Sequence, residues 1–423
     1  MTAVAAAWDL VARAWLVLVA WYGLRRPARL RYLGSTGHPL RLIRGAIVPA
    51  GRHFALALAF LPRQRRLEAS LVFLICKALD AFEDLSVDRA AARAGVTAAA
   101  DYLTGRSARP PRGDGLRATR ESDRLEALLA ARLPLFRVAL EAMPAPAAQR
   151  SRALIDRIAD GMVRQSPDRR RYADDVLGAA VAYAAEVAAP GEPPPAIACR
   201  AAGRALQLAN DMRDAATERD RAIALYQALP ELPLVPRLLR WLAAGAGRGT
   251  RAAATLVVVT TCAFYLRHID HPVPPRLRHP IRAALAAAWS RRAYLATVAA
   301  LEHVLRDALA QAAGLGSTPR GLDPELPDGT SDPVASAATL VALAMDLVHA
   351  VPTGRLDAAT PEPPGKAIAI ADYLLFAAVD RLTDTGPATI TRVAELLEQL
   401  AAPADTAALA RSTALTELAA EVG

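Results

Sequence analysis

The chain is poor in several residue types that would reveal a function at once. It has only three cysteines in 423 residues, Cys76, Cys199 and Cys262. They lie far apart with no CxxC or histidine-paired spacing, which excludes a disulfide framework and a thiolate zinc site. They read as small buried apolar residues in a reducing compartment. Aromatics make up 5% of the chain and β-formers are thin, while Ala, Leu and Arg dominate, so helices are expected throughout. There is no glycine-rich phosphate loop, dinucleotide fingerprint or nucleophile constellation. No RNA- or DNA-binding motif accompanies the net charge of +9, nearly all of it arginine. That charge suits a phosphate-bearing ligand or a membrane surface before it suits nucleic acid.

Long unbroken hydrophobic runs are also missing at the start. Asp9 and Arg13 interrupt the first apolar stretch, and the clean run Ala14–Leu24 is too short to span a bilayer. No basic region precedes it, which argues against a secretory signal. Trp8, Trp15 and Trp21, followed by Arg25, Arg26, Arg29 and Arg31, suit either a helix lying in a membrane interface or an ordinary first helix packed on the core. The expected location is cytoplasmic, free or held peripherally on the inner face of the membrane.

Proline and glycine punctuate what remains. Loops are expected at Gly105–Gly115, Met143–Gln149, Pro190–Pro195 and His271–Pro280, with helical pattern between them. Residues 314–333 are polar and without periodicity and read as a linker. The expected organisation is a helical N-terminal segment (1–45), a main helical domain (46–313), the linker, and a small helical unit (334–423). Only helices are anticipated, and the fold class is all-α.

Two acidic stretches carry the chemistry. "LVFLICKALDAFED" (Leu71–Asp84) is apolar on nearly every side, yet ends in Asp80, Glu83 and Asp84. On a helix these three share a face, where like charges repel unless a cation intervenes or water solvates them. "GRALQLANDMRDAATERD" (Gly203–Asp220) carries Asn210, Asp214 and Glu218 at i, i+4, i+8, predicting a single stripe of oxygen donors across two turns. Two helices each delivering about three hard oxygen ligands, with no His or Cys among them, suit a cluster of Mg²⁺ ions holding a diphosphate. Arg52, Lys77 and Arg213 are candidate diphosphate clamps. Phe54, Phe82 and Tyr183 are candidate aromatic faces for a developing carbocation in an apolar pocket.

These residues resemble the squalene/phytoene synthase family of all-α trans-prenyltransferases over roughly Gly51 to Ala313. "RHFALALAFLP" followed by "RRLEASLVFLICKALDAFED" is similar to that family's Arg-x-Phe start, Leu-Pro and first aspartate-rich helix. "LQLANDMRDAATE" is similar to the second aspartate-rich motif, and "YAAEVAAPG" to the tyrosine-bearing middle helix. The resemblance implies an isoprenoid-synthase-type bundle around a central apolar cavity. It implies Asp80, Glu83, Asp84, Asn210, Asp214 and Glu218 as Mg²⁺ ligands, Arg52 and Lys77 near the phosphates, and Tyr183 at the active site. The implied reaction is head-to-head condensation of two prenyl diphosphates, with NADPH use left open. The chain departs from the pattern where Pro190 stops the middle helix, where Glu218 replaces an Asp, and where the following Gly-Arg-x-Tyr element is missing.

Asn210 to Glu218 also resembles the Asn/Ser/Glu metal motif of class I terpene cyclases, with Asp214 at the Ser/Thr position. A cyclase acting on one prenyl diphosphate is therefore the second reading. Residues 334–423 resemble a fragment of a polyprenyl diphosphate synthase: "AATLVALAMDLVHAV" and "GKAIAIADYLLFAAVDRLTDTG" keep His349, but Ala350 and Val351 stand where the first acids belong. This suggests self-association, docking of a prenyl synthase partner, or a helical cap. A non-catalytic partner subunit is the third reading.

Overall fold

The computed structural model describes residues 28–312, apart from 114, 165–168, 192 and 230. The expectations for the tryptophan- and arginine-rich start before residue 28, for the linker and for residues 334–423 fall outside the described residues. Among those described, every regular element is helical. In order these are α1 (Leu30–Ser35), α2 (Pro39–Gly51), α3 (His53–Ala59), α4 (Arg63–Asp84), α5 (Arg89–Thr104), α6 (Glu121–Ala131), α7 (Leu133–Glu141) and α8 (Ala145–Arg164). The short α9 (Arg169–Ala173) runs through a π-helical turn, Asp174–Gly178, into α10 (Ala179–Ala188). Then follow α11 (Ala196–Asp214), α12 (Glu218–Ala228), α13 (Val235–Gly245), α14 (Arg248–His268), α15 (Pro280–Trp289) and α16 (Arg291–Ala312), with a 3₁₀ turn at Leu232–Leu234. The fold class is all-α, as the composition indicates.

Two compact units emerge from the contacts. Of the described residues, the first holds 28–210, 235–263 and 274–301, and the second 211–234, 264–273 and 302–312. Helix α2 passes through residues 45 and 46 without a break. In the first unit α4 is the central element, packed against α2, α5, α6 and α8. Its apolar residues explain that position: Leu71, Leu74, Ile75, Ala78, Leu79, Ala81 and Phe82 are all buried. Phe82 lies on Gly95 of α5, where an added Cβ would stand 2.8 Å from the ring. In the second unit Leu229, Leu232, Leu234, Tyr265 and Leu266 are buried.

Local chemistry sets the helix ends. Asp88 caps α5, its carboxylate accepting from the Ala91 amide at 2.8 Å. Gly105 closes the same helix at φ 91°, a left-handed position suited to glycine. The corner between α2 and α3 is Arg52 at φ 44°, strained for a residue with a side chain.

The punctuated loops at Gly105–Gly115, Pro190–Pro195 and His271–Pro280 separate helices as expected. Met143–Gln149 does not remain a loop. Helix α8 already begins at Ala145, because Pro146 falls in its first turn, where a missing amide costs nothing. The stripe from Asn210 through Asp214 to Glu218 is also broken. Helix α11 ends at Asp214, and α12 begins at Glu218. Thr217 makes the break: its hydroxyl accepts from the Asp220 amide at 3.1 Å and donates to the Asp220 carboxylate at 2.7 Å, a capping arrangement that starts a new helix.

Helix α14 is the one described helix long and apolar enough to cross a membrane by length and composition, but 67% of its apolar window is buried inside the protein. That suits a core helix.

The backbones of α11 and the π turn approach closely in the first unit. A Cβ on Gly203 would lie 2.3 Å from the Gly178 nitrogen, and one on Gly161 would lie 2.9 Å from the Asp175 Cβ. Beside this seam Arg204 makes a two-pronged pair with Asp174, at 2.8 and 2.6 Å. Gly203→Ala is expected to cost about 1–3 kcal/mol or more by overpacking, because the obstructing atoms are backbone. A drop in the circular-dichroism melting temperature checks this, while Gly37→Ala, in open space, should leave it within about 1 °C.

Candidate active site

From Glu68 onward helix α4 has a single partly open stripe. Phe73, Cys76, Lys77, Asp80 and Glu83 are half-buried along it, and Asp84 is exposed at its end. The spacing of three and four residues keeps them on one face. The stripe starts apolar and ends acidic. At its start Phe73 stacks on Phe54, ring centroids 4.8 Å apart and planes at 29°. At its end the charged groups interlock.

Lys77, one of two lysines in the chain, bridges Asp80 at 2.9 Å and Glu126 of α6 at 3.2 Å. The Asp80 charge, with help from Glu126, holds the Lys77 ammonium well above its ordinary range against the opposing effect of burial. Burial pushes the Glu126 carboxyl up, opposed by Lys77 and reinforced by Asp80. Burial, then Asp80, raises the Cys76 thiol to about 12, so it stays protonated and inert. Tyr172 of α9 donates to Glu83 at 2.9 Å. Its phenol is pushed up by burial first and then by the charges of Glu83, Asp80 and Asp84, so all three acids act on one hydroxyl.

Glu126 and Tyr172 were not anticipated from the sequence. Glu126 carries no signal, since an acid on an amphipathic helix is ordinary. Tyr172 sits in "RRRYADD" (Arg169–Asp175), where a tyrosine set among charges could have drawn notice.

Tyr183 is placed elsewhere. Its hydroxyl donates to Glu68 at 3.1 Å and shares a 2.9 Å hydrogen bond with Ser151. Arg150 grips the same Glu68 with two bonds of 2.6 and 2.7 Å. Glu68 precedes Asp80 by twelve residues on α4, about 18 Å along the axis. Tyr183 therefore belongs to a buried ion-pair network at the other end of α4, and Tyr172 is the tyrosine that meets the acids. Phe82, expected to face a cation, is buried against α5. Arg52 has an exposed side chain at its strained corner.

The second acidic set is not one stripe. Asn210 is half-buried on α11, and Asp214 ends that helix with its side chain 63% exposed. Arg213, expected as a diphosphate clamp, holds its neighbour Asp214 at 3.0 and 2.8 Å. An exposed pair of this kind contributes little to stability. Glu218 stands on α12, past the break.

Asp80, Glu83 and Asp84 offer hard oxygen donors with no nitrogen or sulfur among them, which fits Mg²⁺ in type. Asp80 and Glu126 share one ammonium, so the pair accommodates a further positive charge. Among the described residues no three His, Cys, Asp or Glu side chains gather as a ready-made metal site.

Comparison with family models finds no match, and comparison with curated proteins finds none. Two solved structures of TcSQS, a squalene synthase, are similar to this chain. One, with the ligand E5700, is 14% identical with a TM-score of 0.45. It covers 81% of this chain and 99% of its own. The other, with BPH1237, is 12% identical with a TM-score of 0.44 and the same coverage.

Lys77→Met is expected to destabilise by about 1–3 kcal/mol, because it leaves two half-buried carboxylates without their cation. Removing the attraction of Lys77 raises Glu126 further. The folded state then binds a proton at a higher pH than the unfolded chain does, so the variant should regain stability as pH falls toward about 4.3. Melts from pH 8 to pH 4.5 check the sign. Glu68→Ala should cost about 3–5 kcal/mol by stranding Arg150, and Tyr183→Phe about 1 kcal/mol. Urea titrations of both variants would check that order.

Proposed function

We propose that this chain is an isoprenoid-biosynthesis enzyme that ionises an allylic prenyl diphosphate and joins two such molecules head to head. One observation carries the proposal. Beyond its open first turns, the central helix α4 is open along one stripe, which runs from the Phe54–Phe73 stack to Asp80, Glu83 and Asp84. Phe73 and Asp80 are two turns apart, about 10 Å. A prenyl diphosphate has the same polarity, a hydrocarbon tail and a highly charged head. The first aspartate-rich motif described above supports the same assignment.

Ionisation breaks the bond between the allylic carbon and the diphosphate oxygen, and the electron pair leaves with the diphosphate. Held by Asp80, Glu83 and Asp84, Mg²⁺ would supply the positive charge that stabilises the departing diphosphate. Lys77 lies beside these acids and can donate to diphosphate oxygens once one of its two carboxylates is otherwise engaged. Tyr172 orients Glu83, and its raised phenol stays protonated as a donor at neutral pH. The aromatic faces of Phe54 and Phe73 suit an allylic cation better than water does.

The test is product analysis by gas chromatography–mass spectrometry with C10, C15 and C20 prenyl diphosphates and Mg²⁺. A product with twice the carbons of its substrate is expected, with the Asp80→Asn, Asp84→Asn double variant slower by about 10²–10³-fold. A cyclic product of unchanged carbon number would transfer the chain to the cyclases. No product from any substrate would remove the catalytic reading and leave a partner subunit.

A further inference from the structure

We propose that the first unit carries an anion site where α14 and α16 begin, and that Arg248, Arg251 and Arg291 there take a phosphoryl group. This does not rest on the prenyl chemistry proposed above. The guanidinium carbon of Arg251 lies 5.9 Å from the centroid of the Tyr294 ring, which joins the two helix starts. Arg248 precedes Arg251 by one turn on α14, and Arg291 precedes Tyr294 by one turn on α16. Each pair therefore shares a helix face. Tyr294 is fully buried and anchored by its hydroxyl to the Leu239 carbonyl, so the ring under Arg251 is fixed.

Three observations indicate that a ligand is needed here. First, like charges converge without a counter-ion. Neither helix has an acid in its first turn, and among the described residues no carboxylate pairs with Arg248, Arg251 or Arg291. Second, a donor is left over. Arg251 gives one Nη to the Ala246 carbonyl at 2.9 Å, but its buried Nε has no partner. A buried donor without a partner is unfavourable, and an anion beside Arg251 would relieve it. Third, burial, and then the charges of Arg248 and Arg291, hold the Arg251 guanidinium below its ordinary range, although the Tyr294 ring opposes them. Bound anionic charge would reverse that.

Guanidinium forks beside two helix N-termini match the geometry and charge of a phosphoryl dianion. That group could belong to a free phosphate ester or diphosphate, or to a lipid headgroup. Trp289, 73% exposed and two residues before Arg291, reports which.

The full chain would be titrated with inorganic diphosphate by calorimetry, with EDTA present so that no metal site contributes. Separately, it would be sedimented with phosphatidylcholine vesicles with and without phosphatidic acid. Arg248→Gln, Arg291→Gln serves as the variant, since both positions are exposed and the packing of Arg251 survives. Arg251→Gln is the second variant, each with a circular-dichroism spectrum as folding control. Stoichiometric diphosphate binding, weakened at least about tenfold in the variants, supports a free ligand. Phosphatidic-acid-dependent sedimentation that the variants lose, with a blue shift of Trp289 emission absent in Trp289→Phe, supports a lipid. No binding in either arm, or binding that the variants leave unchanged, would overturn the proposal.

Discussion

The sharing of one ammonium between two carboxylates organises the first unit. Lys77 projects from a helix whose other faces are apolar and buried, so its charge has to be met within reach of the α4 stripe. Asp80 meets it from the next turn and Glu126 from α6. That bridge ties α4 to α6 at the acidic end, while the Glu68–Arg150–Tyr183 network ties α4 to α8 and α10 at the other. Between the two polar clamps the helix is held by apolar packing alone.

The two clamps differ in what they leave available. Glu68 is well met: two bonds from Arg150 and one from Tyr183 engage both its oxygens, and the group is buried. An ion pair whose charges meet each other in this way is a structural device. Asp80 and Glu126 share a single cation, and Glu83 adds a third carboxylate held by a neutral phenol. Negative charge accumulates at that end of α4, half-open to solvent. The same physics with opposite sign appears at Arg248, Arg251 and Arg291.

Backbone proximity matters as much as charge. Without a side chain at Gly203, α11 comes against the π turn closely enough for Arg204 to reach Asp174. The π turn leads directly from Tyr172, so the seam also fixes where the phenol that holds Glu83 can stand.

The sequence by itself determined the helical class, the central position of Leu71–Asp84 and the loops at Gly105–Gly115, Pro190–Pro195 and His271–Pro280. Period and punctuation are local properties, set by Pro, Gly and the spacing of apolar residues. It also placed Asp80, Glu83 and Asp84 on one face, because helix geometry requires it. Tertiary structure alone decided what those acids meet. Glu126 and Tyr172 lie far from them in sequence; no local signal marks Glu126, and the charged run around Tyr172 does not say which acid it meets. It sent Tyr183 to Glu68, 115 positions away, although its surroundings in the sequence suggested the acids. The break of Asn210–Glu218 into two helices is local, although the stripe pattern in the sequence hid it. Ala215 and Ala216 favour helix, but the Thr217 cap with Asp220 competes for the same backbone, and the cap prevailed.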